Sequence, residues 1–146
     1  MAITSAICNS FKQEILEAEH NFTASTGNTF NLALYDSDAS LGAGTTAYTT
    51  SEEITNTSGT AYTAKGKALT SVTPTLDSST AVCDFADVSW TSASFTARGC
   101  VIFNDSHSTD ASVCAIDFGG DKTATSGTFT IQFPAASATA AIIRIA

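Results

Sequence analysis

The feature that most constrains this chain is a change of hydrophobic period. From Phe30 onward, apolar residues recur at every second position. Phe129, Ile131 and Phe133 alternate with Thr128, Thr130 and Gln132, which is the pattern of a strand with one buried face. Phe30, Leu32 and Leu34 alternate with Asn31, Ala33 and Tyr35, which predicts a half-buried strand. Further strands are expected over 67–75, 81–85, 88–90, 95–104, 112–118 and 141–145. Turn residues punctuate them at 36–40, at 104–110 and at Gly119-Gly120-Asp121-Lys122. Pro134 closes a strand because it cannot donate to a ladder. The phase slips between Phe85 and Val88, which predicts a bulge at Ala86-Asp87. Roughly seven to nine short strands with polar turns describe an antiparallel β-sandwich of jelly-roll type. It is expected to fill residues 23–146 as one domain.

Only the opening segment carries a helical period. Ile3, Ile7, Phe11 and Ile15 fall four apart, with Cys8 and Leu16 alongside, while Lys12, Gln13, Glu14, Glu17 and Glu19 lie off the stripe. This predicts an amphipathic helix within 1–22, started by Thr4 or Ser5 and packed on the domain or on a neighbour. Residues 41–59 are small and Thr-rich, with Gly42, Gly44 and the pair Glu52-Glu53. They read as a long loop with one short strand around Ala47-Tyr48-Thr49. Loops longer than about 12–15 residues are usually functional, so this one is expected to be a contact arm.

Charge excludes several roles. The chain of 146 residues holds 6 Lys+Arg against 14 Asp+Glu, a net charge of −8, so nucleic-acid binding through basic clusters is not expected. No apolar run approaches the roughly 20 residues that cross a bilayer. The opening Met1-Ala2-Ile3-Thr4-Ser5 lacks the basic and apolar regions of an export signal, so a chain made and kept in the cytosol is expected. Cys8, Cys83, Cys100 and Cys114 show no metal-ligand spacing and read as buried, free thiols. The glycosylation patterns at Asn21, Asn56 and Asn104 match by chance in so Ser- and Thr-rich a chain.

Motifs for chemistry are sparse. There is no G-x-S-x-G elbow, and Gly42-Ala43-Gly44 lacks the G-K-[ST] of a phosphate loop. Asp117-Phe118-Gly119 spells a kinase motif without its catalytic loop. Asp105, His107 and Asp110, like Asp36 and Asp38, are acidic clusters in turns without the spacing of a calcium loop. Asp84 and Asp87 flank Phe85 and read equally as a carboxylate pair or as bulge residues. Trp90, Tyr35, Tyr48 and Tyr62 have the surface to stack on sugars, although a lone Trp in alternating context reads first as core. No catalytic residue, cofactor or metal is expected, and the chain does not read as an enzyme.

Several runs resemble small virion structural proteins of tailed bacteriophages. They are Trp90 with Phe95-Thr96-Ala97-Arg98-Gly99 and Val101-Ile102-Phe103-Asn104, then Ala115-Ile116-Asp117-Phe118-Gly119-Gly120-Asp121-Lys122. Phe129-Thr130-Ile131-Gln132-Phe133-Pro134 and Ala141-Ile142-Ile143-Arg144-Ile145 follow. Phe11-Lys12-Gln13-Glu14-Ile15-Leu16, Leu32-Ala33-Leu34-Tyr35-Asp36 and Ala61-Tyr62-Thr63-Ala64-Lys65-Gly66 fit the same pattern. The resemblance implies a structural role in the virion, with no catalytic motif to carry over. Joined to the Thr, Ser and Ala surface, whose side chains cost little entropy when fixed, it leads to an expected capsid cement or decoration protein. Such a protein would sit on the capsid exterior as a homotrimer and contact the major capsid protein. The expected contact residues are Ile3, Ile7, Phe11, Tyr48, Glu52, Glu53, Ile143 and Arg144. Two alternatives stand beside it: a head–tail connector or tail component, and a carbohydrate-binding sandwich module using Trp90 and the acids at 105–110.

Overall fold

The computed structural model describes residues 2–55 and 59–146; the sequence motif at Asn56 lies outside the described residues. The chain runs β1 (Ala6–Ile7), α1 (Asn9–Leu16), β2 (Phe30–Tyr35), β3 (Lys67–Ala68), β4 (Ser71–Asp77), β5 (Thr80–Phe85), β6 (Val88–Asn104), β7 (Ser112–Ile131) and β8 (Ile143–Ile145). It is mainly β. Strands β1-β7-β6-β2-β3 form one antiparallel sheet and β4-β5-β8 a second. No helix among the described residues is long and apolar enough to cross a membrane.

The N-terminal expectation needs correction. The helix begins only at Asn9, and Cys8 stands at its N-cap without a side-chain capping bond. Ala6 and Ile7 instead pair with Ala115 and Cys114 as β1, and Ile3 bridges Leu41. A spacing of four is an even number, so it suits an extended chain as well as a helix. Pairing with β7 decides between them, since tertiary contacts override local preference.

Strands β6 and β7 form one long hairpin of 17 and 20 residues. One predicted break lies inside it and another just before its first strand. Gly119-Gly120-Asp121-Lys122 is not a turn: it is an irregularity within β7, where Gly99 pairs with Asp117 and Ala97 with Lys122. Gly119 has φ 74°, a backbone glycine adopts without strain. Ala86-Asp87 is also not a bulge within one ladder. It is the crossing point where the chain leaves the smaller sheet through β5 and enters the larger through β6.

Strand β2 is buried on both faces, not one, with burial continuous from Leu32 to Tyr35. On one face, Leu32, Leu34, Cys100, Ile102 and Val113 meet Cys83, Phe85 and Ile143 of the smaller sheet, with Phe11 and Phe22 closing one end. On the other, Ala33, Tyr35, Val101, Phe103 and Ala115 lie under Ile3, Ala39 and Leu41, with Tyr48 packed alongside. In its described part, 41–55, the segment expected to be a contact arm is therefore the second cover of the large sheet. Gly66 ends that cover. Its φ is 65°, and a β-carbon there would sit 1.8 Å from the carbonyl oxygen of Leu32, so only glycine fits.

Candidate interaction surface

The fold commits three of the eight residues expected to make contacts to its own interior. Ile3, Phe11 and Ile143 are buried in the two cores. Their apolar surface is thus already used, and little remains for a second chain. Ile7 is half-buried on β1. Tyr48 stacks on Phe103 with ring centroids 4.8 Å apart. Arg144 is exposed and donates from Nη1 to the Ala138 carbonyl at 2.7 Å. Glu52 is exposed at φ 60°. Its carboxylate lies within 4.8 Å of those of Asp36 and Asp38, where Asp36 accepts the Asp38 N–H in an Asx turn.

Glu53 is the centre of a polar network that alternation in the sequence does not reveal. Its Oε2 accepts the Tyr48 hydroxyl at 2.5 Å, and its Oε1 accepts the Tyr62 hydroxyl at 2.7 Å and the Lys65 N–H at 2.8 Å. Tyr62 in turn accepts the Leu34 N–H at 2.9 Å. The neighbouring backbone pairs with β2, through Ile54 N–H to Leu34 O and Asp36 N–H to Glu52 O. Burial pushes the Tyr48 phenol up to about 12, and the hydrogen bond to Glu53 adds to the rise. Tyr62 and Tyr35 are raised further, first by burial. All three stay neutral donors at physiological pH.

The acidic turn at 105–110 is closed by a cation of the chain itself. Lys65 Nζ lies 2.9 Å from Asp105 and 2.8 Å from Asp110. The same ammonium sits 5.7 Å and 5.9 Å from the ring centroids of Tyr48 and Phe103, within cation–π range. His107 Nε2 faces Glu19 at 3.4 Å. His20, the other histidine, has its side chain fully buried, with Nε2 2.8 Å from Glu14 and Nδ1 3.2 Å from the Asn104 amide. Trp90 is 1% exposed and packs on Tyr62, Phe95 and Phe129 with Lys67 above it. With Tyr35 and Tyr62 also buried, three of the four aromatics considered for sugar stacking have no free face. Asp84 accepts the N–H of Phe85 and Asp87 that of Phe133, so both serve the crossing point. The four thiols are free and buried. Burial raises each of them, Cys83 and Cys114 to about 12, so all four remain protonated and unreactive.

What stays open is one flank of the sandwich. Between β7 and the segment leading to β8 lies an apolar groove of about 710 Å³. Its walls include Ile7, Ile116, Phe118, Phe129, Ile131 and Phe133, and Lys122 is the one charged side chain among its described lining residues. Except for Phe129, these apolar side chains are only half-buried, although they pack against the main core. A smaller cleft of about 150 Å³ lies between α1 and the second sheet and includes Ile145, 58% exposed.

No family model, curated protein or solved structure matches the chain. Its function is therefore argued from this geometry. Neither the Glu53 network nor the open flank stands out in the sequence. The signal for a second cover was present in the unbroken apolar runs Leu32-Ala33-Leu34-Tyr35 and Cys100-Val101-Ile102-Phe103, since a strand buried on both faces loses its alternation.

Proposed function

We propose that this chain is a structural protein of a bacteriophage virion, acting as a capsid cement or decoration protein. In this reading it binds the outer shell in many copies and contacts the major capsid protein without covalent bonds. The observation that carries the proposal is the open apolar flank along β7. A groove of this size with one charged wall residue is what a permanent contact covers and what a freely diffusing protein tends to avoid. The surface chemistry agrees, because Thr, Ser and Ala lose little side-chain entropy when packed. The resemblance of Arg98-Gly99, Phe118-Gly119-Gly120 and their neighbouring runs to virion proteins supports the same reading.

Copy number per purified particle tests it, measured by quantitative mass spectrometry against the major capsid protein. Hundreds of copies are expected for a shell protein. A dozen or fewer would move the chain to the neck or tail. Absence from the particle would refute the structural role.

A further inference from the structure

We propose that residues 134–141 form a strap with two positions: moored away from the β7 flank, as in this structure, and closed over it. The inference rests on the shell reading of that flank and says how the free chain shelters it before docking.

The first observation is how little holds the strap. It runs from Phe133, whose N–H Asp87 accepts at 2.9 Å, to Ile142 and the buried Ile143. Between β7 and β8 it joins no ladder. Among the described residues, its backbone–backbone bonds are internal, between Ser137 and Ala140 at 2.6 Å and 3.2 Å. Two side chains from outside the strap bond its backbone, and both do so at Ala138. Asp77 accepts the Ala138 N–H at 2.6 Å, and Arg144 donates to the Ala138 carbonyl at 2.7 Å. None of residues 134–141 is fully buried. A segment with few buried contacts and a handful of exposed hydrogen bonds belongs to the low-stability end of a fold.

The second observation is where the moorings sit. Asp77 ends β4 and Arg144 lies in β8, so both belong to the smaller sheet. They hold the strap toward that sheet, and the groove lies open between strap and β7. Pro134 and Ala141 of the strap line it, as do the half-buried Ile116, Phe118 and Ile131 of β7.

The composition of the strap suits closure. Pro134-Ala135-Ala136-Ser137-Ala138-Thr139-Ala140-Ala141 carries no charged side chain, so it can lie on an apolar wall without desolvating an ion. Burial of that wall drives closure, and the two hydrogen bonds to charged groups at Ala138 oppose it. The turn from Ser137 to Ala140 takes up slack that closure would use. Docking on the shell requires the open position, so a bound shell draws the strap off the flank. Until then the closed position keeps a large apolar surface from water.

A reporter thiol in the groove wall is the test. Ile131→Cys is placed in the full chain, whose native thiols are all buried. Asp77→Ala together with Arg144→Met removes both moorings, and should slow labelling of I131C at least about threefold as the closed population grows. Ser108→Cys, in the exposed turn between β6 and β7, should label equally with and without the moorings. Near-UV circular dichroism checks that the variants fold. Should the unmoored chain fail that check, hydrogen exchange of the wild type reads the same motion. The Ala138 amide should then exchange at least about a hundredfold faster than the amides of β5, because the strap leaves its moorings without global opening. I131C labelling that is unchanged or faster without the moorings overturns the strap. So does an equal slowing of S108C, or an Ala138 amide protected as well as β5. None of these outcomes bears on the shell reading, which the particle copy number tests separately.

Discussion

The large sheet is covered twice, by two different kinds of structure. One cover is the regular sheet β4-β5-β8, and the other is the irregular chain between β2 and β3 together with Ile3. The regular cover pairs its own backbone in ladders and meets the large sheet through apolar side chains alone: Cys83, Phe85 and Ile143. Among the described residues, the irregular cover has single bridges in place of ladders: Ile3 to Leu41, Tyr35 to Glu53 and Ala47 to Ala111. Its buried polar groups need partners all the same. Glu53, Tyr48, Tyr62 and Lys65 supply them. A loop can thus serve as a lid when one carboxylate ties together two buried or half-buried hydroxyls and a backbone N–H.

The largest effect is expected under the regular cover. Phe85 is 2% exposed and sits 5.7 Å from Phe30 and 6.2 Å from both Phe22 and Phe133, ring centroid to centroid. Phe85→Ala should cost about 3–5 kcal/mol, since a large buried ring leaves a cavity that the core refills only in part. Guanidinium unfolding measures the loss. Thiol labelling locates it, because all four cysteines lie in this core and none in the other. Native wild-type chain should react slowly with a thiol reagent, and F85A many times faster. Equal labelling rates in wild type and F85A would mean that the loss of Phe85 does not open this core.

A smaller and differently placed effect is expected at Glu53. Glu53→Ala strands the hydroxyl of buried Tyr62 and frees Tyr48, for a loss of about 2–3 kcal/mol. Glu53→Gln keeps the shape and an acceptor oxygen, and should lose about 1 kcal/mol. Amide exchange should speed up over 36–55, while thiol labelling stays at the wild-type rate as long as the global unfolding route is slow. Thiol exposure as fast as in F85A would break the contrast between the covers.

How much of this was legible beforehand follows from what each feature depends on. Alternation through Phe129, Ile131 and Phe133 reports one buried face directly, so the β-rich class and the strands near 30–34 and 81–85 were readable. The stripe from Ile3 to Ile15 was ambiguous because its spacing fits two periods, and only the partner strand, more than a hundred residues away in sequence, resolves it. Gly119-Gly120 has the composition of a turn, yet it serves a bulge, since glycine supplies the same backbone angles in both. Glu53 could not be singled out from Glu52. One gathers three hydrogen bonds and the other stays exposed, and the difference lies in Tyr62 and Lys65 arriving from elsewhere. The open flank is a property of what does not pair, which no local pattern records.

The smallest effect tests whether charge, apart from hydrogen bonding, holds the irregular cover. Lys65 bridges Asp105 and Asp110, but its side chain is 42% exposed, so screening keeps the pair at about 0.5–1 kcal/mol. Lys65→Met retains an apolar stem of similar length and removes the charge. The ammonium is raised above an ordinary lysine's 10.5, first by its hydrogen bond to Asp110 and then by that to Asp105. A group raised on folding gives its full stabilisation below its unfolded value and loses it as pH climbs toward the folded one. The stability gap between wild type and K65M should therefore be flat from pH 7 to about 10 and close above that. Added salt should narrow it at neutral pH. A gap that ignores both pH and salt would assign the contribution of Lys65 to its methylene stem and not to its charge.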